Sequence, residues 1–272
     1  MSWIITSDQV SPPGDAAITY GITNAGGVFN LRSTGTVDYE IEWGDGAVEN
    51  STLNTLPHTY TAGDYTLGVY SDGVYRPYFN LVTTDASQIT SVVVGPGADL
   101  GTNLDSAWEG ASNMTSFVCP FDVTSGVTSF KETWARANFT NFPLINTSSG
   151  TTFSAAWYLC TSLTSLPLIN TSSGTTFAFA WTLCSSLADF PAKMFDTTGT
   201  LIAGAFNSTW TNCALTAQSI ENILVSLDTN GASNITLGID GGTNAAKTTW
   251  SAAAVTAYDN LIVKGWTISF NA

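Results

Sequence analysis

PLINTSSGTTF occupies residues 143–153 and returns unchanged at residues 167–177, an offset of 24. Each copy runs into a similar segment, SAAWYLCTSLTSL after the first and AFAWTLCSSLADF after the second. Outward from the two copies, Trp108, Trp134, Trp157, Trp181 and Trp210 keep the same rhythm, with spacings of 26, 23, 24 and 29. Four residues before each stands a large apolar side chain: Leu104, Phe130, Phe153, Phe177 and Phe206. Three residues after each stands a small one: Ala111, Ala137, Cys160, Cys184 and Cys213. Apolar pairs follow, such as Phe139 with Phe142, Leu163 with Leu166 and Leu187 with Phe190.

Positions i, i+4 and i+7 share one face of a helix, so the spacing predicts a helical turn presenting Phe153, Trp157 and Cys160 together. SLTSLPLIN reads as a short extended segment, and Asn-Thr-Ser-Ser-Gly supplies a turn. One such repeat is too small to bury its own apolar face, whereas stacked repeats share a core. Their strands would then run parallel, about 4.8 Å apart. Among the exposed strand positions, Thr140, Asn141, Thr164 and Ser165 are the candidate binding residues.

The register F-x3-W-x2-C-x2-L-x2-L/F-P, over roughly residues 89–213, resembles the leucine-rich-repeat-like solenoids of bacterial and phage surface proteins, the BspA-like group. Those families commonly carry Phe or Met where this chain has Trp. The resemblance implies a solenoid with a polar, displayed face.

After Cys213 the pattern changes. Thr216 is the expected N-cap, and Ile220, Ile223, Leu224 and Leu227 mark one face of a helix ending near Gly231. ITLGID reads as a strand, residues 251–263 as a second helix closed by Lys264 and Gly265, and WTISF as a last strand. This α/β segment suits a cap over the final repeat. It also resembles tails of phage structural proteins, of the NILVSLD…GGTNAA…KGW type.

Before about residue 85 the chain is rich in β-formers separated by Gly, Asp and Asn: SWIIT, VFNLR, VDYEIEW, HTYT and DYTLGVY. That pattern predicts a small antiparallel β-sandwich. Trp43, Gly44, Asp45, Gly46, His58, Tyr60, Gly63, Tyr65 and Leu67 resemble the WxFGDG and HxY…GxYxV signature of the PKD family of Ig-like domains. PKD domains are spacers or protein-contact modules, so the resemblance implies presentation rather than chemistry. Pro12 and Pro13 mark a loop in an N-terminal arm.

Composition narrows the function. Seven Lys and Arg against 21 Asp and Glu give a formal charge of −14, which argues against nucleic acid and against anionic membranes as partners. Only 10% of residues are charged, against about 25% on average, so Ser, Thr, Asn and Gly must cover the surface. Nine tryptophans argue for a packed core rather than disorder. No stretch approaches 18 apolar residues, and MSWIITSDQVSPPGD has no basic region before a long apolar run. A chain made in a cytosol without a standard export signal is expected.

The candidates for chemistry each have a simpler explanation. His58, the single histidine, falls in the HTY motif, where packing and a turn hydrogen bond account for it. Asp45 and Asp64 stand beside glycines in turns and lack the dense oxygen spacing of a calcium loop. Cys119, Cys160, Cys184 and Cys213 contain no CxxC pair and read as free buried thiols. Asp105, Glu109, Asp122, Glu132, Asp189 and Asp196 do not recur at one repeat position, so no carboxylate pair for glycoside hydrolysis is implied. The repeat tryptophans read as core; Trp3 and Trp250 are freer to stack on sugars.

The resulting expectation is a mixed fold in three parts. Residues 1–85 form a PKD-like β-sandwich, 86–214 a leucine-rich-repeat-like solenoid and 215–272 its α/β cap. The expected role is a non-enzymatic bacteriophage virion surface protein: a tail fibre, a receptor-binding appendage or a capsid decoration. No catalytic, cofactor or metal residue is expected. Its expected partners are other virion proteins and a host surface glycan or protein receptor, with room for a homo-oligomer. A bacterial cell-surface adhesin and a polysaccharide-degrading appendage enzyme are the alternatives.

Overall fold

The computed structural model describes residues 17–34, 38–71, 73–80 and 84–272. SWIIT, Trp3, Pro12 and Pro13 lie outside the described residues. The fold is mixed and β-rich, with two α-helices near the C-terminus.

Two long strands, β1 (Ile18–Thr34) and β4 (Thr55–Ser71), pair antiparallel along most of their length. HTYT and DYTLGVY therefore lie in one strand rather than two. β2 (Tyr39–Glu42) joins β4, and β3 (Val48–Ser51) forms the edge. β5 (Arg76–Pro77) adds to the end of β1. On its other side β1 pairs antiparallel with β6 (Ile89–Val94), which pairs parallel with β7 (Ser116–Val118). The first strands and the first repeat thus belong to one seven-stranded sheet, and a single apolar core runs from Ile18 to Trp266.

Beyond β7 the chain lies down in parallel segments. Single bridges join Asn103, Ser129, Thr152 and Thr176 in one row and Asn141, Ser165 and Asp189 in another. Between the rows the expected helical turns are absent, and the backbone hydrogen bonds show why. Phe153, Ala155, Trp157 and Leu159 donate their N–H groups to Thr176, Ala178, Ala180 and Thr182 of the next segment, at 2.9–3.0 Å. Ala156, Tyr158 and Cys160 donate three residues back, each at 3.1 Å. An α-helix would spend every N–H on its own i−4 carbonyl and leave none for a neighbour.

The alternation needs left-handed residues at fixed places. Glu132 and Arg136, Ala155 and Leu159, Phe179 and Leu183, Ser208 and Asn212 all have φ between 50° and 71°. The four-residue step between left-handed positions reproduces the i, i+4 spacing that reads as helix in the sequence.

The duplicated stretch is a set of contacts to both neighbours. Asn146 Oδ1 accepts the Ser148 N–H (3.1 Å) and closes the turn. The buried Thr147 hydroxyl donates to the Asn170 carbonyl of the next segment (2.6 Å). Ser149 donates to the Ser125 carbonyl of the previous one (2.7 Å). Thr151 donates both its N–H (2.8 Å) and its hydroxyl (3.0 Å) to the Thr128 carbonyl, and Thr175 repeats this toward Thr151. Gly150 and Gly174 leave room for Phe153 and Phe177, whose rings a Cβ would meet at 2.5 Å. Asn146, Thr147, Ser149, Gly150, Thr151 and Phe153 of the repeated stretch are thus committed to the turn, the core or a neighbouring segment.

The interior is an aromatic column. Trp134, Trp157, Trp181 and Trp210 stack with centroids 5.3–5.4 Å apart and planes within 16°. Phe130, Phe153, Phe177 and Phe206 stack beside them at 5.1–5.3 Å. Phe142 and Phe190 stand nearly perpendicular to the indoles on either side, at 4.7–5.2 Å. All five repeat tryptophans are fully buried, and their indole N–H groups have no hydrogen-bond partner among the described residues. Their role here is therefore bulk and shape.

The thiols line the same interior. Cys160, Cys184 and Cys213 each donate Sγ–H to a tryptophan carbonyl one segment back, at 3.0–3.1 Å. All four cysteines are free and buried. Burial pushes the Cys119 and Cys213 thiols up to about 12, and those of Cys160 and Cys184 higher still. Since the thiolate is the nucleophile, iodoacetamide at about pH 8 should leave the native thiols unmodified and label all of them in denaturant. Rapid labelling of any of the three interior cysteines in the native state, read by mass spectrometry, would contradict this packing.

The C-terminal elements close the stack. α1 (Ala217–Asn230) has Thr216 as its N-cap, with the hydroxyl accepting the Ser219 N–H, and the left-handed Gly231 (φ 81°) as its C-cap. Its polar face satisfies the backbone edge of the preceding segment. Ser219 accepts from the Phe190 N–H, Asn222 donates to the Phe190 carbonyl, Ser226 accepts from the Phe195 N–H, and Asn230 donates to the Thr198 carbonyl. An open edge is thereby covered by side chains rather than by another strand. β8 (Thr236–Ile239) receives the Trp210 N–H at its Gly238 carbonyl (2.9 Å) and pairs parallel with β9 (Thr267–Phe270). α2 (Ala252–Val263) packs on α1.

Candidate functional site

The four candidate binding residues come together on adjacent segments. Thr164 donates its N–H (3.0 Å) and its hydroxyl (3.3 Å) to the Thr140 carbonyl, and Asn141 bridges Ser165. Thr140 and Asn141 are exposed, while Thr164 and Ser165 are half-buried. The row continues to Asp189, giving Asn, Ser and Asp on three successive rungs.

At its end the row enters a depression of about 250 Å³ between the last rung and the start of α1. Its apolar floor is Leu166, Phe190 and Pro191, and its polar rim is Ser165, Asp189, Thr216, Gln218 and Asn222. Asn222 is spent on the Phe190 carbonyl and on the Gln218 amide N–H. The Ser165 hydroxyl and the Asp189 carboxylate have no partner among the described residues. Sequence spacing could not reveal that Asp189 and Gln218 share one depression, because they belong to elements brought together by the covering of the stack's edge.

A second, larger depression, about 460 Å³, lies between the Pro96–Asp99 turn and the Pro120–Val123 turn, beside the exposed ring of Phe121.

The carboxylates weighed for hydrolysis are dispersed or engaged. Asp105 accepts from Ser129 and from the Lys131 N–H, and Asp196 from Ser226. Glu109 is buried, and desolvation raises its carboxyl above the usual range. Its neighbour Glu132 faces Lys131 at 3.7 Å. Among the described residues, no group of three or more metal-ligating side chains is assembled, and no helix is long and apolar enough to cross a membrane. Trp250, read from sequence as freer, is buried: its indole N–H donates to the Ala245 carbonyl (3.1 Å) and its ring packs against Phe270.

The residues of the PKD-like signature gather at one place. The His58 ring stacks on Trp43 at 4.4 Å, and Tyr60 stands across it. Tyr65 stacks on Tyr60 at 4.2 Å, and the Tyr60 hydroxyl donates to the Trp43 carbonyl. His58 Nε2 lies 2.7 Å from Asp45 Oδ2, while Asp45 Oδ1 accepts the Ala47 N–H. Asp64 accepts from Thr23 (2.6 Å).

The hydrogen bond from His58, with the Ala47 N–H second, holds the Asp45 carboxyl below its usual value. A carboxylate with a depressed folded-state pKa contributes stability that is complete above its unfolded pKa, about 3.9, and is lost as pH falls through the folded value. Asp45→Asn should therefore flatten the fall in melting temperature between pH 5 and the acid limit. An unchanged acid slope would show that the contact adds nothing to folding.

No family model, curated protein or solved structure matches the chain. The site must therefore be read from its own geometry.

Proposed function

We propose that this is a non-enzymatic bacteriophage virion surface protein, a tail-fibre or receptor-binding appendage or a capsid decoration, that attaches through a polar face. In this reading the stacked segments, residues 86–214, are a leucine-rich-repeat-like solenoid of the BspA-like kind. Residues 215–272 cap it, and residues 1–85 are a PKD-like, Ig-type sandwich that docks to the particle. The observation that carries the reading is the row of Asn141, Ser165 and Asp189, set one per rung over a rigid aromatic interior. Such a face offers many weak polar contacts, and copies on one particle sum them through multivalency.

A virion protein is assembled in the host cytosol and faces outward after lysis, and a displayed, hydroxyl-rich surface suits that role. Mass spectrometry of purified virions should find this chain, and the purified chain should compete with virions for host adsorption. Its absence from particles, with recovery instead from a bacterial cell envelope, would favour the adhesin alternative. Reducing-end release from envelope glycan, lost on a single Asp or Glu substitution, would overturn the non-enzymatic reading.

A further inference from the structure

The geometry points to a neutral saccharide as the ligand of the depression beside α1, an inference that rests on the attachment reading and names its receptor class. Three acceptors line the depression without partners of their own among the described residues: the Ser165 hydroxyl, the Asp189 carboxylate and the Gln218 side-chain oxygen. A sugar is the ligand whose hydroxyls donate to such a set, and a carboxylate can take two vicinal hydroxyls at once. Pro191, half-buried above the buried Leu166 and Phe190, is the apolar surface that the C–H face of a pyranose ring would meet. The lining residues include one carboxylate and no Lys, Arg or His, within a chain of net charge −14. An acidic sugar would be repelled and would find no cation to pair with.

The rim is also held in place. Thr216 and Ser219 are fixed by the N-cap of α1, and Asn222 is fixed on the Phe190 carbonyl. The Asp189 backbone N–H donates to the Thr164 carbonyl (3.2 Å), so the carboxylate rides on the last rung. Asn141 continues the polar row two rungs back, so a linear oligosaccharide laid along the stack would meet Asn141 after leaving the depression.

The test is titration of the isotope-labelled full chain, followed by amide NMR shifts. The probes are chito-, malto- and galacto-oligosaccharides, with sialylated and galacturonate oligomers as acidic comparators. A neutral oligomer should shift amides near residues 164–166, 188–191 and 216–222. Asp189→Ala should weaken that binding about tenfold or more, as for loss of a charged hydrogen-bond acceptor. Gln218→Ala should weaken it less, and Asp259→Asn, which removes a carboxylate on α2 away from the depression, should leave it unchanged.

Shifts with none of the neutral oligomers, binding of acidic ones alone, or parental affinity in both rim variants would overturn the inference. Thermal melts of the variants separate loss of the rim from loss of the fold. If the chain blocks host adsorption and Asp189→Ala blocks equally well, attachment stands and this site falls. If the site binds saccharide but the chain never blocks adsorption, the site stands and the attachment reading falls.

Discussion

Trp157→Ala should cost about 3–5 kcal/mol, the range for removing a large core aromatic. The ring is fully buried between Trp134 and Trp181, each 5.4 Å away, with Phe142 at a right angle across it. Nothing nearby is loose enough to fill the gap, because the backbone on both sides is tied by ladders of N–H···O bonds between segments. In a chain of this size each kcal/mol moves the melting temperature by about 2–4 °C, so a fall of about 10 °C is expected. Thr164→Ala is the companion measurement. It removes one 3.3 Å hydroxyl contact while the backbone bond to Thr140 remains, and should stay within about 0.5 kcal/mol of the parent. If the two variants melted alike, the indoles would not be the core.

Gly44→Ala should be the most damaging small change in the first sheet. Gly44 has φ of +81°, and a Cβ there would sit 2.3 Å from the Thr66 carbonyl oxygen. The left-handed conformation costs an ordinary residue about 1–2 kcal/mol, and overpacking against atoms that cannot move aside about 1–3 more. Both the turn and β4 must shift, and with them the contact of His58 with Asp45. Chemical denaturation should show a loss of about 2–5 kcal/mol and a weakened Trp43–His58 stack. By contrast, Gly46→Ala has open space around its Cβ and carries only the conformational part of that cost.

These two sites also show what could be read from the sequence. The repeat was legible because its frame is set by large side chains at fixed spacing, and an interior built from equal segments requires that. The C-terminal helix was legible because Thr216 and Gly231 announce its ends and Ile220, Ile223, Leu224 and Leu227 its buried face. The conformation between Phe153 and Cys160 was not. Ala155 and Leu159 are left-handed here, yet neither residue type favours that region; only the pull of inter-segment hydrogen bonds holds them there. Local spacing cannot separate repeated four-residue turns from a helix when both place i, i+4 and i+7 inward.

The candidate site was half legible. Thr140, Asn141, Thr164 and Ser165 follow from the repeat register, and they do lie on neighbouring rungs. Asp189 and Gln218 line one depression for a tertiary reason: α1 folds over the last segment and spends Ser219, Asn222, Ser226 and Asn230 on its backbone. A helix rich in Ser and Asn on one face looks merely polar in sequence. Its partner is the unsatisfied edge of a stack, which no one-dimensional pattern records. Trp250 failed for a similar reason, since it lies outside the repeat frame but inside the packing of α2 and β9.

The most direct measurement is a NOESY spectrum of protein labelled selectively at tryptophan and assigned by single Trp→Phe variants. Cross-peaks should link the indoles of Trp134 with Trp157, Trp157 with Trp181 and Trp181 with Trp210, as their centroid separations of 5.3–5.4 Å require. Indole resonances without such a chain of contacts, in a folded sample, would mean that the segments do not lie side by side. The polar row across them would then have no common base.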